Sequence, residues 1–306
     1  MRGAPVAAID CGTNSIRLLI AEHRNETLVD LDRRMIAVRL GEGVDQSGHL
    51  APAALERTFA ACRQYGEVIQ NLGAQRVRFV ATSASRDADN AEEFRHGVSE
   101  ILGVVPQVIS GAEEAQLSFA GATAGQEFET PALVFDIGGG STEFVLGHDS
   151  PEHSMSVDMG CVRFTERYVR HDPMTAAEHA AITQTCDQIL ERVGDQVPFA
   201  QAATVFGLAG TVTTVAALAL ALPAYDAAII QGAEIPTTAI QKVAQDLRSM
   251  TSQQRAELAV MHPGRADVVA VGAVILERIM AKVGAASLIA SEHDILDGIA
   301  WSLVAD

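Results

Sequence analysis

The sequence predicts an α/β protein of two similar lobes with a cleft between them, and three observations carry that prediction. A glycine-rich turn between two apolar runs occurs twice, beside Asp10 and beside Asp136. Elsewhere, β-like runs alternate with stretches of helical periodicity. Finally, 48% of the 306 residues are hydrophobic and 20% charged, the balance of a globular chain long enough for two buried cores.

The second turn is the clearer copy. It runs Leu133-Val134-Phe135-Asp136-Ile137-Gly138-Gly139-Gly140-Ser141-Thr142-Glu143-Phe144-Val145-Leu146, two apolar runs joined as a tight β-hairpin. Glycines let the main chain approach a ligand closely and turn bare amides towards anionic oxygens. Asp136 and Glu143 flank the turn, and paired carboxylates suit a hard cation such as Mg2+, which commonly accompanies phosphate. The competing account is an ordinary glycine hairpin with two solvated acids. A shift of 126 residues favours the first, because it carries Asp10 onto Asp136, Gly12 onto Gly138 and Ser15 onto Ser141. The flanks Val6–Ile9 and Ile16–Ile20 align too. A repeat of that span is a domain duplication, not a solenoid. Each hairpin opens a lobe, 1–123 and 124–306, with the last helix, 294–306, packing back on the first.

Charge and cysteine usage exclude several classes. The net charge is −17, which argues against nucleic acid or an anionic membrane as partner. Residues 1–123 carry 12 arginines and 16 acids, so most of the excess acid lies in the second half. With lysine only at Lys242 and Lys282, phosphate contacts fall to arginines, amides and a metal. The four cysteines show no C-x-x-C spacing, so no zinc knuckle or redox motif is expected. No signal-peptide pattern precedes the first strand, and a cytoplasmic protein is expected. The uncharged stretch from Gln196 to Tyr225 is broken by Gly207, Gly210, four threonines and Pro223. A buried strand, loop and helix fit it better than a membrane span.

The remaining candidates follow in chain order. Arg17 lies on the returning strand of the first hairpin, and Arg33, Arg34 and Arg39 surround a third strand. The stretch Gly41–Gly48 reads as a surface turn, and Pro52–Leu72 as a helix. Arg78–Asp87 is a strand running into a hydroxyl-rich loop, where α/β proteins place ligands, and Arg86 is the candidate bidentate phosphate donor, with helix-capping hydroxyls and a solvated arginine as the alternative. Ser110 and Glu113 have capping-box spacing at a helix start. A glutamate that caps leaves its neighbour about 100° round the helix, so Glu114 is the candidate general base. Two ordinary first-turn acids are the alternative. Ser156–Tyr168 reads as strand, glycine turn and helix, and Met174–Val193 as a helix. Gly207-Leu208-Ala209-Gly210-Thr211 is a third glycine and hydroxyl loop before a helix, able to hold a phosphate tail or nucleotide at Gly210 and Thr211, with close packing of helix on strand as the competing account. His262 beside Pro263 reads as a turn residue without chemistry, before a helix from Val268 to Met280. Ser287–Ala290 closes as a strand and Asp294–Val304 as a helix.

Several of these stretches together resemble the exopolyphosphatase and guanosine pentaphosphate phosphohydrolase family. They are Ala8–Ser15, Ala81–Ala88, Ile109–Ala115, Asp136–Phe144, Met159–Arg163, Gly207–Thr211 and His262–Asp267. The resemblance implies a two-lobed actin-like ATPase fold, ribonuclease-H-like, with the active site in the interdomain cleft. It also implies that Glu114 activates water, and that Asp136 and Glu143 hold Mg2+ or Mn2+ with help from Asp10. Arg86, Gly12, Thr13, Asn14, Ser15, Gly138, Gly139, Gly140 and Ser141 would grip phosphate oxygens, and a monovalent cation such as K+ would fit the same chemistry. The chain looks like the short two-lobed form found in actinobacteria, which favours shorter polyphosphate chains and a homodimer. The expected substrate is inorganic polyphosphate. Guanosine pentaphosphate (pppGpp) is the alternative substrate, and an ATP-binding switch or chaperone-like ATPase the alternative of another class.

Overall fold

The computed structural model describes residues 4–25 and 27–304, and the chain forms two compact units. One comprises Met1–Gln126 with Asp294–Asp306, the other Glu127–His293. The division read from the sequence at 123 and 124 falls at 126 and 127, and the closing segment belongs to the first unit. Residues 305 and 306 of the expected last helix lie outside the described residues.

The first unit contains β1 (Val6–Cys11), β2 (Ser15–Arg24), β3 (Thr27–Ala37), α1 (Val44–Ser47), α2 (Pro52–Leu72), β4 (Arg76–Ala81), α3 (Ser83–Arg86), α4 (Ala91–Leu102), β5 (Gln107–Val108) and α5 (Gly111–Thr123). Its sheet order is β3-β2-β1-β4-β5. The first three strands form an antiparallel meander, and β4 and β5 join parallel to β1. The expected surface turn at Gly41–Gly48 encloses the short helix α1, bounded by left-handed Gly43 and Gly48. Alternation along the strands sorts residues to two faces. Ala7, Ile9 and Cys11 pack with Leu55, Cys62 and Tyr65 of α2 and Phe94 of α4. Ala8, Leu19 and Val80 pack on the other face with Leu117 of α5. Asp10 has the parity of Ala8 and Arg17 that of Leu19, so both belong to this second face.

The second unit contains β6 (Ala132–Ile137), β7 (Thr142–Gly147), β8 (Pro151–Val157), α6 (Cys161–Tyr168), α7 (Ala176–Gln196), β9 (Thr204–Leu208), α8 (Ala209–Ala219), α9 (Ala227–Ile230), β10 (Glu234–Pro236), α10 (Thr237–Ser249), α11 (Ser252–Ala256), α12 (Val269–Val283) and β11 (Ser287–Ala290). Its order, β10-β11-β9-β6-β7-β8, repeats the plan of the first: a meander β6-β7-β8, then β9 and β11 parallel to β6. The short β10 is added antiparallel at the edge. Leu133, Phe135, Phe144 and Leu146 face a large core with Ile182 and Leu190 of α7 and Ile275 and Ile279 of α12. The last helix, α13 (Ile295–Val304), returns to the first unit, where Ile295, Leu296 and Ile299 complete the second face. The α/β class and the duplication both hold: each unit is a ribonuclease-H-like sheet.

Candidate active site

In the second unit, antiparallel register places Asp136 directly opposite Glu143. Directly opposed residues share a face with their Cβ atoms about 5 Å apart. Asp136 is 7% exposed and Glu143 1%. Ser156, the register partner of Glu143 on β8, donates its hydroxyl to Glu143 Oε1 at 2.6 Å. Two adjacent buried carboxylates are costly to hold ionised without a cation, and an all-oxygen pair fits Mg2+, which binds through one or two carboxylates and keeps several waters. Among the described residues no group of three or more His, Cys, Asp or Glu gathers as a metal site.

The turn between them is shaped by α6. The carbonyl of Gly138 accepts from the Cys161 amide at 3.1 Å, and that of Gly139 accepts from the Val162 and Arg163 amides at 2.9 and 3.0 Å. The Gly140 carbonyl accepts from Arg163 Nε at 2.7 Å. In a planar trans peptide the carbonyl and the following N–H point in opposite directions. The amides of Gly139, Gly140 and Ser141 therefore all turn away from α6, forming a concavity suited to anionic oxygens. Such close approach requires Gly160, where a Cβ would lie 2.3 Å from the Gly139 oxygen.

The hairpin of the first unit closes in the same way. Gly12 N–H donates to the Ser15 carbonyl at 3.0 Å, as Gly138 does to Ser141 at 3.0 Å. The Thr13 carbonyl accepts from Gly41 at 2.9 Å, and the Asn14 carbonyl from Val38 and Arg39 at 3.1 and 2.8 Å. By the same planarity, the amides of Asn14 and Ser15 point away from the segment 38–41. Thr13 and Ser83 share a hydroxyl hydrogen bond of 2.8 Å, and Tyr65 donates to the Ile16 carbonyl at 2.9 Å. The cross-strand pair differs between the copies: Arg17 is the register partner of Asp10, where Glu143 partners Asp136. Arg17 Nε and Nη2 donate to Asp10 Oδ2 at 2.9 and 2.6 Å, and Nη1 donates to Asp294 Oδ2. Asp10, read from the resemblance as a helper at the metal, thus sits in an ion pair of its own. Burial pushes its carboxyl above the usual value while Arg17 pulls the other way.

Helix α5 brings the two candidate catalytic groups together. Ser110 caps it by accepting from the Glu113 amide at 3.2 Å. The reciprocal half of the expected capping box is replaced, because Glu113 Oε1 accepts from Arg78 Nη2 at 2.8 Å. Glu114 turns inward, 8% exposed, and its Oε2 accepts from Arg86 Nη1 at 3.0 Å. The same nitrogen donates to the Ile109 carbonyl at 2.9 Å, which fixes Arg86 beside Glu114.

The junction of β9 and α8 is the last piece. Ala209 has φ 66°, a left-handed conformation that strains a residue with a side chain. A Cβ on Gly210 would lie 1.9 Å from Arg265 Cζ, so the guanidinium lies against the glycine. A Cβ on Gly272 would lie 2.5 Å from Thr211 Oγ1. The sequence reading missed Arg17, Arg163 and Arg265 as parts of these loops. Their shift-aligned or neighbouring positions were visible, but their partners are distant in the chain. His262 behaves as a turn residue, its Nδ1 accepting from the Gly264 amide at 3.1 Å.

Each unit thus carries a glycine hairpin and a strand-to-helix junction at the carboxyl ends of adjacent parallel strands, β1 and β4 or β6 and β9, where α/β proteins bind their ligands. Two α/β sheets of one plan, each with such loops at its strand ends, make the class an α/β protein suited to binding anions there. The comparisons narrow that class. A profile of the Ppx/GppA phosphatase family matches residues 19–305. The chain is 47% identical to Exopolyphosphatase 2 of Mycobacterium tuberculosis, over 97% of this chain and 98% of that protein. A crystal structure described as an exopolyphosphatase-like protein superimposes with a TM-score of 0.94 at 40% identity, covering 98% of this chain and 97% of that one. The Aquifex aeolicus member of the Ppx/GppA family superimposes with a TM-score of 0.84 at 30% identity, covering 100% and 98%. The chain belongs to the Ppx/GppA phosphatase family and is a phosphoanhydride hydrolase. No described helix is long and apolar enough to cross a membrane.

Proposed function

We propose that this enzyme removes the terminal orthophosphate of inorganic polyphosphate, with Mg2+ or Mn2+ held by Asp136 and Glu143. The observation that carries the reading is the buried cross-strand pair Asp136–Glu143 at the foot of three amides turned to one side. The relative named Exopolyphosphatase 2, 47% identical over nearly its whole length, supports the substrate class. A divalent ion bound at the pair supplies neutralisation of charge on the phosphates. The amides of Gly139, Gly140 and Ser141 receive phosphate oxygens, and the Gly12–Ser15 turn and the Gly210–Thr211 loop serve the same role. Glu114 takes the proton from a water whose oxygen bonds to the terminal phosphorus as the bridging P–O bond breaks. Arg86 holds Glu114 in place and stabilises charge on the transferred group. Orthophosphate leaves, and the chain is one unit shorter.

The same residues would cleave pppGpp, a substrate compatible with the family, whereas a non-hydrolytic ATP switch has no use for the Glu114–Arg86 pair. The test is orthophosphate release from polyphosphates of graded length, beside pppGpp and ATP, with Mg2+ or Mn2+ and with or without K+. Faster turnover of short polyphosphate than of either nucleotide is expected, with loss of activity in chelator. Tight ATP binding without release from polyphosphate would overturn the reading. A cytoplasmic homodimer belongs to the same proposal, and sedimentation measures its oligomeric part.

A further inference from the structure

Asp294 opens α13, and its Oδ1 accepts from the Leu296 amide at 3.0 Å, as an N-cap does. A cap needs an acceptor, and Asn or Ser supplies one without charge. Asp294 is nevertheless a carboxylate with 3% exposure, and burying that charge is costly unless it is paired. The pairing is with Arg17 Nη1, the guanidinium whose other edge holds Asp10. The Asp294 amide in turn donates to Asp297 Oδ2 at 3.0 Å, and Asp297 Oδ1 accepts from Arg33 Nη2 at 2.5 Å. The main chain of Asp294 is placed as narrowly. A Cβ on Gly121 of α5 would lie 1.8 Å from the Asp294 carbonyl oxygen, and one on Gly298 of α13 would lie 2.0 Å from that of Leu117. Asp294 therefore touches two things at once: through its side chain the hairpin with the Gly12–Ser15 turn, and through its carbonyl the helix whose first turn carries Glu114. All of these groups lie on one face of the first unit's sheet.

We infer that Asp294 is a positioning residue, which fixes the Gly12–Ser15 turn and the Glu114 helix relative to each other through Arg17 and Gly121. The inference rests on the catalytic role proposed above for Glu114. Displacement of a catalytic group by about an ångström costs roughly 10²-fold in rate, so loosening this link lowers kcat and leaves ground-state binding at the second unit's loop in place.

The experiment compares wild type, Asp294→Asn, Arg17→Gln and the double variant. Asn preserves the cap, so the melting temperature should stay within a few degrees. For Asp294→Asn kcat should fall by about ten-fold or more and by a larger factor than KM rises, and the double variant should be no slower than Arg17→Gln alone. Should Asp294→Asn fail to fold, Asp294→Ser, which also caps and cannot reach Arg17, is read by the same outcomes. Wild-type kcat in the variant, or losses that multiply in the double variant, overturns the inference. Wild-type phosphate release reports separately on the proposed function. If wild type releases none, amide exchange decides: faster exchange over 12–17 and 111–118 in Asp294→Asn supports the positioning role, and unchanged exchange there overturns it.

Discussion

Glu114 and Glu113 are adjacent in sequence and differ entirely in circumstance. Glu113 pairs with Arg78 of β4 and stays partly exposed, whereas Glu114 is buried against Arg86. General-base assistance is worth about 10²–10⁴-fold, so Glu114→Gln should lower kcat by at least that lower figure while circular dichroism and melting stay near wild type. Glu113→Gln should change kcat less than about three-fold, and equal losses in the two variants would sink the assignment. Glu178 supplies a prediction of another kind. It closes a capping box on α7, and hydrogen bonds from the Thr175 amide, His171 and the Arg170 amide hold its carboxyl down at about 2. A carboxyl depressed in the folded state stabilises the fold above its unfolded value of 4.5, and that contribution fades as pH falls towards 2. Melting temperature between pH 5 and pH 3 should therefore fall more steeply in wild type than in Glu178→Gln; parallel slopes would contradict the cap.

At the scale of elements, the second hairpin owes its shape to a helix that follows the next strand. Gly160 has φ −134° and ψ 156°, which any residue adopts, so its role is steric. An alanine there would push its Cβ into the Gly139–Gly140 peptide. Overpacking typically costs 1–3 kcal/mol, and here the yielding part is the turn that presents the amides. Gly160→Ala should lower the melting temperature by several degrees and raise KM for polyphosphate more than it lowers kcat. An unchanged KM would show that the turn does not bear on binding. The sequence reading placed the elements well because strands and helices here obey their periods: Pro52–Leu72 and Ser287–Ala290 fall on the expected residues. It could not see the amide directions at Gly139–Ser141, since these depend on carbonyl partners in α6 that have no local signature. The left-handed Ala209 was equally hidden, because nothing in its residue type asks for positive φ.

At the scale of the molecule, the duplication was legible because both hairpins kept an aspartate, a glycine, a serine and their apolar flanks at one spacing. The divergence of the copies was also written there, as Arg17 where the repeat has Glu143, but its meaning was not. Arg17 pairs with Asp294, 277 residues away, and only the return of the chain to its first unit joins them. Three arginines, Arg17 of β2, Arg33 of β3 and Arg78 of β4, reach α13 at Asp294, Asp297 and Ser302. Beneath them Ile295, Leu296 and Ile299 are at most 3% exposed. Burying each such side chain is worth about 1.5–3 kcal/mol, so the helix contributes roughly as much as the 5–15 kcal/mol that separates a folded domain from its unfolded chain. Removal of the residues after His293 should therefore unfold the first unit and leave the second protected. Amide exchange followed by peptide mass spectrometry resolves the two: β1, β2 and α5 should lose protection, while β6, β7 and α12 keep theirs. If β1 and β2 stay protected without α13, the helix is an accessory and not part of the first unit's core.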